Sequence, residues 1–87
     1  MIFDPDLYTM RALVQQELVK GIRRFVVDLS GVPFIDSSGM GELISIYTSI
    51  TRLQGSIVLA GPVPRVRALL ERIRLTRIFT IVDQETV

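Results

Sequence analysis

The sequence predicts an α/β domain with a mainly parallel sheet of successive βα units, with helices over residues 7–19, 38–53 and 64–75 and strands over residues 24–29, 56–60 and 78–82. Three observations carry this. Short apolar runs rich in β-branched residues alternate with stretches of helical spacing. Glycine and proline stand at the changes, at Gly21, at Gly31 with Pro33, at Gly55, and at Gly61 with Pro62 and Pro64. Alternating elements of this length bury their apolar faces best as helices packed on a parallel sheet through right-handed crossovers. The chain of 87 residues makes one domain, residues 1–87, with no internal repeat or linker to divide it.

Residues 1–6 read as an entry segment, with Pro5 or Asp6 close to a helix start. In the first helix Leu7, Met10, Leu13, Val14 and Leu18 fall on one face, and Gly21 ends it. Arg23 and Arg24 lead into the first strand, where Phe25, Val27 and Leu29 oppose Val26, Asp28 and Ser30, so one face of the sheet can be less covered. In the second helix the apolar stripe is Met40, Leu43, Ile44, Tyr47, Ile50 and Leu53, and Gln54 with Gly55 stops it. The run SIVLA at 56–60 is the next strand. Val66, Leu69, Leu70 and Ile73 then share one face of the third helix. Arg65 and Arg72 border that face on one side, Arg67 and Arg74 on the other. Their aliphatic stems can cover the edges of the buried face while the guanidinium groups stay in water, or the cluster can bind an acidic protein or a phosphate. The run IFTIV at 78–82 is the last strand, before a short polar tail.

The site is predicted where the first strand hands over to the second helix, at Asp36, Ser37, Ser38, Gly39, Met40 and Gly41. A helix start has N–H groups without intrahelical partners and the positive end of the macrodipole, and Asp or Ser oxygens satisfy both. Capping alone would account for one such residue. Here there are three, Met40 and Gly41 occupy the positions where a capping box would need Glu or Gln, and Gly39 and Gly41 weaken the first turns by about 1 kcal/mol each relative to Ala. Small residues at this point leave a backbone that another protein can approach closely, with a hydroxyl at its centre.

Composition narrows the chemistry. Neither cysteine nor histidine occurs, so a disulfide framework, a thiolate metal site and a Ser-His-Asp triad around Ser37 are excluded, and no metal or cofactor is expected. A net charge of +1 gives no reason to expect nucleic acid. No apolar run approaches the ~20 residues of a membrane span, and Asp4 and Asp6 stand where a secretory signal would be basic. Lys20 is the single lysine, and neither a GxSxG elbow nor a GxxxxGK[ST] loop is present, so an enzyme is not expected.

The run VVDLSGVPFIDSSGMGELISIY, with its continuation through Gly55 to Leu59 and the helix start at Pro64, resembles the signature of the STAS domains, above all the bacterial anti-sigma factor antagonists. The likeness extends from about residue 23 to about residue 82 and is specific in order, spacing and residue type. It implies a STAS fold and a cytoplasmic, phosphorylation-controlled protein-binding switch. Such a domain docks unphosphorylated on a serine-kinase anti-sigma factor, frees a sigma factor, and is reset by a PP2C-type phosphatase. The family's phosphorylated serine directly follows the Asp, which falls on Ser37, with Ser38 the lesser candidate. The resemblance also implies two strands before the first helix, the second ending in an acidic segment, and only residues 2–6 stand in their place, with Asp4 or Asp6 as substitutes for the acidic residue. The domain is thus expected to be shortened at its N-terminus.

That shortening would leave the strand that begins at Arg24 and ends at Leu29 as an open sheet edge, available for a homodimer or for cover by residues 1–6. A second functional class, a non-switching STAS scaffold of the stressosome or transporter-accessory kind, uses the same fold for assembly alone. A phosphorylation assay separates the two.

Overall fold

In a computed structural model, which describes residues 2–3 and 10–83, four strands form one sheet in the order β1-β2-β3-β4 with every neighbouring pair parallel. The elements in chain order are β1 (Ile2–Phe3), α1 (Met10–Val19), β2 (Arg24–Asp28), α2 (Ser37–Arg52), β3 (Ser56–Ala60), α3 (Pro64–Arg72), a 3₁₀ turn (Leu75–Arg77) and β4 (Thr80–Val82). The expected α/β architecture is present, with one strand more than the sequence predicts.

The register pairs Phe25 with Ile57 and Val27 with Leu59, which in turn meets Ile81. Paired residues of a parallel sheet point to the same face, so these side chains form one apolar surface. Met10, Val14 and Leu18 of α1, Leu43, Ile46 and Ile50 of α2, and Val66 and Leu70 of α3 join it in a single core. Strands laid down in sequence order with right-handed crossovers place their helices on one side, as this core requires. On the opposite face Val26 and Val58 are only half-buried, and Arg24, Ser56 and Thr80 are exposed.

Several boundaries differ from the sequence reading. The stretch 24–29 is not an open edge in the single chain, because Ile2 pairs with Val26 and Phe3 with Val27. The alternative in which the N-terminal segment covers that edge is therefore the arrangement seen, and an edge-to-edge homodimer would have to displace β1. Helix α3 ends at Arg72, and the last strand begins at Thr80 instead of residue 78. The reason lies in hydrogen bonding: the N–H groups of Ile78 and Phe79 both donate to the Leu75 carbonyl, closing the 3₁₀ turn instead of extending the sheet. Phe79 is still buried and packs edge-on against Tyr47, with centroids 5.3 Å apart. Residues 7–9 of the expected first helix, and the readings of Asp4, Pro5 and Asp6, lie outside the described residues.

Two helix ends show the same device. After α1, Ile22 N–H donates to Glu17 carbonyl and Gly21 N–H to Leu18 carbonyl, with Gly21 at φ 96°. After α2, Gly55 N–H donates to Ile50 carbonyl and Gln54 N–H to Thr51 carbonyl, with Gln54 at φ 63°. Both are Schellman closures, and in the second the left-handed position falls to Gln54 instead of Gly55.

Candidate functional site

Chain direction alone sets the site. β2 ends at Asp28, the chain turns through Pro33, and Ile35 anchors its return in the core. Asp36 follows in extended backbone (φ −88°, ψ −179°) as the N-cap of α2, its Oδ1 accepting from Gly39 N–H at 2.8 Å. Ser37 and Ser38 are then the first two helical residues, both exposed. The three oxygen-bearing residues therefore divide the work: Asp36 caps, and the two serines leave their hydroxyls toward solvent. Helix α2 begins one residue earlier than the sequence reading places it, which makes Ser37 part of the positive helix terminus.

Gly39 and Met40 are buried, whereas Gly41 is exposed. A Cβ added at Gly41 would meet nothing within 4 Å. The chain's own packing thus gives no reason for a glycine there, although it costs the helix about 1 kcal/mol relative to Ala. Gly39 differs in being buried within the first turn of α2. Beside the opening turn Glu42 pairs with Arg11 of α1 at 2.9 Å, which ties the two helices together.

The site continues into an apolar groove that the sequence reading missed. Asp36 at the cap and Ser37, Gly41 and Ile44 on α2 face Leu69 and Ile73 at α3 across a cavity of about 460 Å³. A second recess of about 290 Å³ adjoins it through the shared Ile35 and Leu69, and Phe34, Arg65 and Arg72 complete its lining. Ile44, Ile73 and Phe34 are 42%, 43% and 57% exposed. The sequence reading put Ile44 and Ile73 into buried stripes. Ile44 in fact lies roughly 125° round the helix from the centre of the buried residues Leu43, Ile46 and Ile50, at about 100° per residue, and Ile46 takes the core position. Ile73 is the C-cap residue beyond the last turn of α3. Excess width of an apolar stripe, more than any polar motif, was the signal for this groove.

The arginines of α3 divide as well. Arg67 forms an ion pair with Asp83 after β4. Arg65 places its guanidinium carbon 5.6 Å from the Phe34 ring centroid, and with Arg72 it flanks the recess. Among the described residues no group of three or more acidic, histidine or cysteine side chains could hold a metal ion, and no helix is long and apolar enough to cross a membrane.

A parallel open sheet whose second helix starts at an Asp cap followed by two exposed serines brings the chain to its family. The chain belongs to the STAS domain family, whose pattern matches residues 7–86. A Thermotoga neapolitana homologue of TM1081, provisionally named an anti-sigma factor antagonist, is 35% identical over 66 residues, which cover 76% of this chain and 58% of that protein. BtrV of Bordetella bronchiseptica, provisionally given the same function by name, is 28% identical over 74 residues, covering 85% of this chain and 64% of its own length. The chain thus spans less than two thirds of these curated relatives. The crystal structure of TM1081 from Thermotoga maritima, under the same provisional name, superposes with a TM-score of 0.85 at 29% identity, over 99% of this chain and 79% of that one. The NMR structure of TM1081 gives a TM-score of 0.82, also at 29% identity, over 95% and 71% of the two chains.

Proposed function

We propose that this chain is an anti-sigma factor antagonist, a protein-binding switch that docks unphosphorylated on a serine-kinase anti-sigma factor and is turned off by phosphorylation at Ser37. The observation that carries the reading is the exposed Ser37 hydroxyl at the first position of α2, directly after the Asp36 cap. The names of the relatives support the anti-sigma factor antagonist role, and the Ser37 switch rests on the helix start alone. In this reading the chain catalyses nothing: the partner kinase supplies the phosphoryl group and a PP2C-type phosphatase removes it.

Phosphate would add a charge of roughly −1.5 to −2 at neutral pH. Free N–H groups and the helix dipole tolerate an anion at this place, so the fold changes little. Asp36 is held beside it by the Gly39 N–H and repels the new charge, which therefore projects outward. A partner surface fitted to a neutral hydroxyl would then have to desolvate a dianion, and docking ends. The exposed backbone at Gly41 supplies the close approach that such docking uses.

Incubation with a cognate anti-sigma kinase and ATP tests this. Ser37→Ala is expected to abolish phosphate incorporation and Ser38→Ala to retain it. Phosphopeptide mapping that finds phosphate only on Ser38 overturns the assignment, and an unmodified chain that still assembles with STAS partners returns the scaffold reading.

A further inference from the structure

We infer that the end of the sheet where the strands begin is a contact surface for an anionic lipid bilayer, on which the domain rests peripherally. All strands run parallel, so the three stretches that lead from a helix into the next strand, 20–24, 52–56 and 73–79, reach the same end. The first two touch directly, with Ser56 N–H donating to the Arg23 carbonyl at 2.8 Å. Together the three stretches hold six of the chain's ten Lys and Arg residues and none of its nine Asp and Glu residues. Acids stand instead at the other end, where Asp28 closes β2, Asp36 caps α2 and Asp83 follows β4. The net charge of +1 thus conceals a basic pole.

Helix dipoles account for part of this. Cations favour a helix C-terminus, and Arg23 serves α1 in that way, its Nη1 donating to the Leu18 and Ile22 carbonyls at 2.9 and 3.0 Å, while Lys20 lies 3.4 Å from Glu17. Among the described residues Arg52, Arg74 and Arg77 form no ion pair, and all three are exposed. Arg74 also sits in left-handed backbone (φ 63°, ψ 26°), where glycine or asparagine costs less, so local geometry gives no reason for an arginine there. Nor does a dipole call for the aliphatic side chains among these cations. Val19, the last residue of α1, is 87% exposed, and Ile22, Leu53 and Ile78 are exposed with it.

Aliphatic side chains interspersed with arginines match a bilayer interface, where the former enter the acyl boundary and the guanidinium groups meet lipid phosphates. A duplex nucleic acid offers phosphates but no acyl region. A single strand would stack its bases on aromatic rings, whereas Phe25 and Phe79 beside these stretches are buried. Neither recess beside α3 is lined by any of the six cations, as the anchoring side chain of a partner protein would require. Ser37 begins α2 and Arg52 ends it, about 22 Å apart along the axis. A domain resting on a bilayer by its basic end therefore keeps the Ser37 end turned to solvent, and the inference does not depend on phosphorylation there.

Co-sedimentation of the full chain with lipid vesicles tests this. Binding is expected to vesicles of phosphatidylglycerol mixed equally with phosphatidylcholine, to fall as salt rises, and to be absent on phosphatidylcholine alone. Arg77→Gln and Arg65→Gln remove the same charge from different places: the first is expected to weaken binding about fivefold and the second to leave it unchanged. Val19→Ser alters no charge and is expected to weaken binding severalfold. Urea melts of all three variants are expected to match the parent, because the three side chains are exposed. No binding at millimolar anionic lipid, an equal loss for Arg65→Gln and Arg77→Gln, undiminished binding of Val19→Ser, or preference for a duplex oligonucleotide over the vesicles overturns the inference. Ser37→Ala is expected to bind vesicles as the parent does. Failure of the kinase assay therefore leaves this surface standing, and failure of sedimentation leaves the switch standing.

Discussion

Asp36 shows how much one side chain decides here. Its Oδ1 satisfies the Gly39 N–H, a donor that would otherwise be stranded at a helix start, and the bond fixes where Ser37 stands. Asp36→Ala is expected to lower stability by about 1 kcal/mol, seen as a lower urea midpoint with unchanged slope, and Asp36→Asn to recover most of it because asparagine caps equally well. Asp28 adds a small pH dependence. The Ser30 hydroxyl and, at 2.9 Å, the Ser30 backbone N–H hold its carboxyl below the ordinary aspartate range. The unfolded chain therefore binds this proton more readily than the folded one, so the contribution is present at neutral pH and disappears as pH falls through the lowered folded value. Urea melts at neutral and acid pH are expected to show a slightly smaller acid loss for Asp28→Asn than for the parent. An identical loss would mean that the Ser30 contacts do not persist in solution.

Among the elements, α2 and the closure that follows it offer two glycines with opposite meanings. At Gly55 a Cβ would lie 2.6 Å from the Arg23 carbonyl oxygen and 2.8 Å from Ile50 Cγ2, so Gly55→Ala is expected to destabilise by about 1–3 kcal/mol. Gly41→Ala meets open space and should stabilise by up to about 1 kcal/mol, a rise of roughly 4–8 °C in Tm, while weakening partner docking. Higher stability with unimpaired docking would remove Gly41 from the interface. The same contrast explains what could be read in the sequence. Periodicity and the Gly and Pro positions located the three long helices and the central strands, because those signals are local. The tetrad at Asp36 was legible for the same reason: helix capping is written within a few neighbouring residues. The end of α3 and the 3₁₀ turn were not, since Ile78 and Phe79 have strand-like side chains and only the tertiary position of Leu75 decides where their N–H groups donate. Nor was the groove, because the exposure of Ile44 depends on how α2 is rotated against the sheet, and Ile46 and Ile44 are equally apolar.

At the scale of the whole molecule the sheet has two short outer strands around a longer pair, and β1 is the shorter. β2 and β3 pair over five positions, from Arg24 with Ser56 to Asp28 with Ala60, whereas β1 covers β2 at only Val26 and Val27. An uncovered β2 would present free backbone groups on a strand of high β propensity, with Val26 and Val27 at its centre. Two residues of pairing are thus set against self-association of the domain. Hydrogen exchange on the full chain is expected to protect the amides of β3 and those β2 amides that face either neighbour. Removing residues 1–3 is expected to leave β3 protected, to speed exchange at β2, and to make the mass seen by light scattering rise with concentration as two β2 edges pair. Because the core residues Phe25 and Val27 keep their contacts with the helices, far-UV circular dichroism of the shortened chain should change little. If β2 stays as protected as before and the shortened chain stays monomeric at all concentrations, then β1 does not guard the edge, and the short strand contributes no more than its own two pairings.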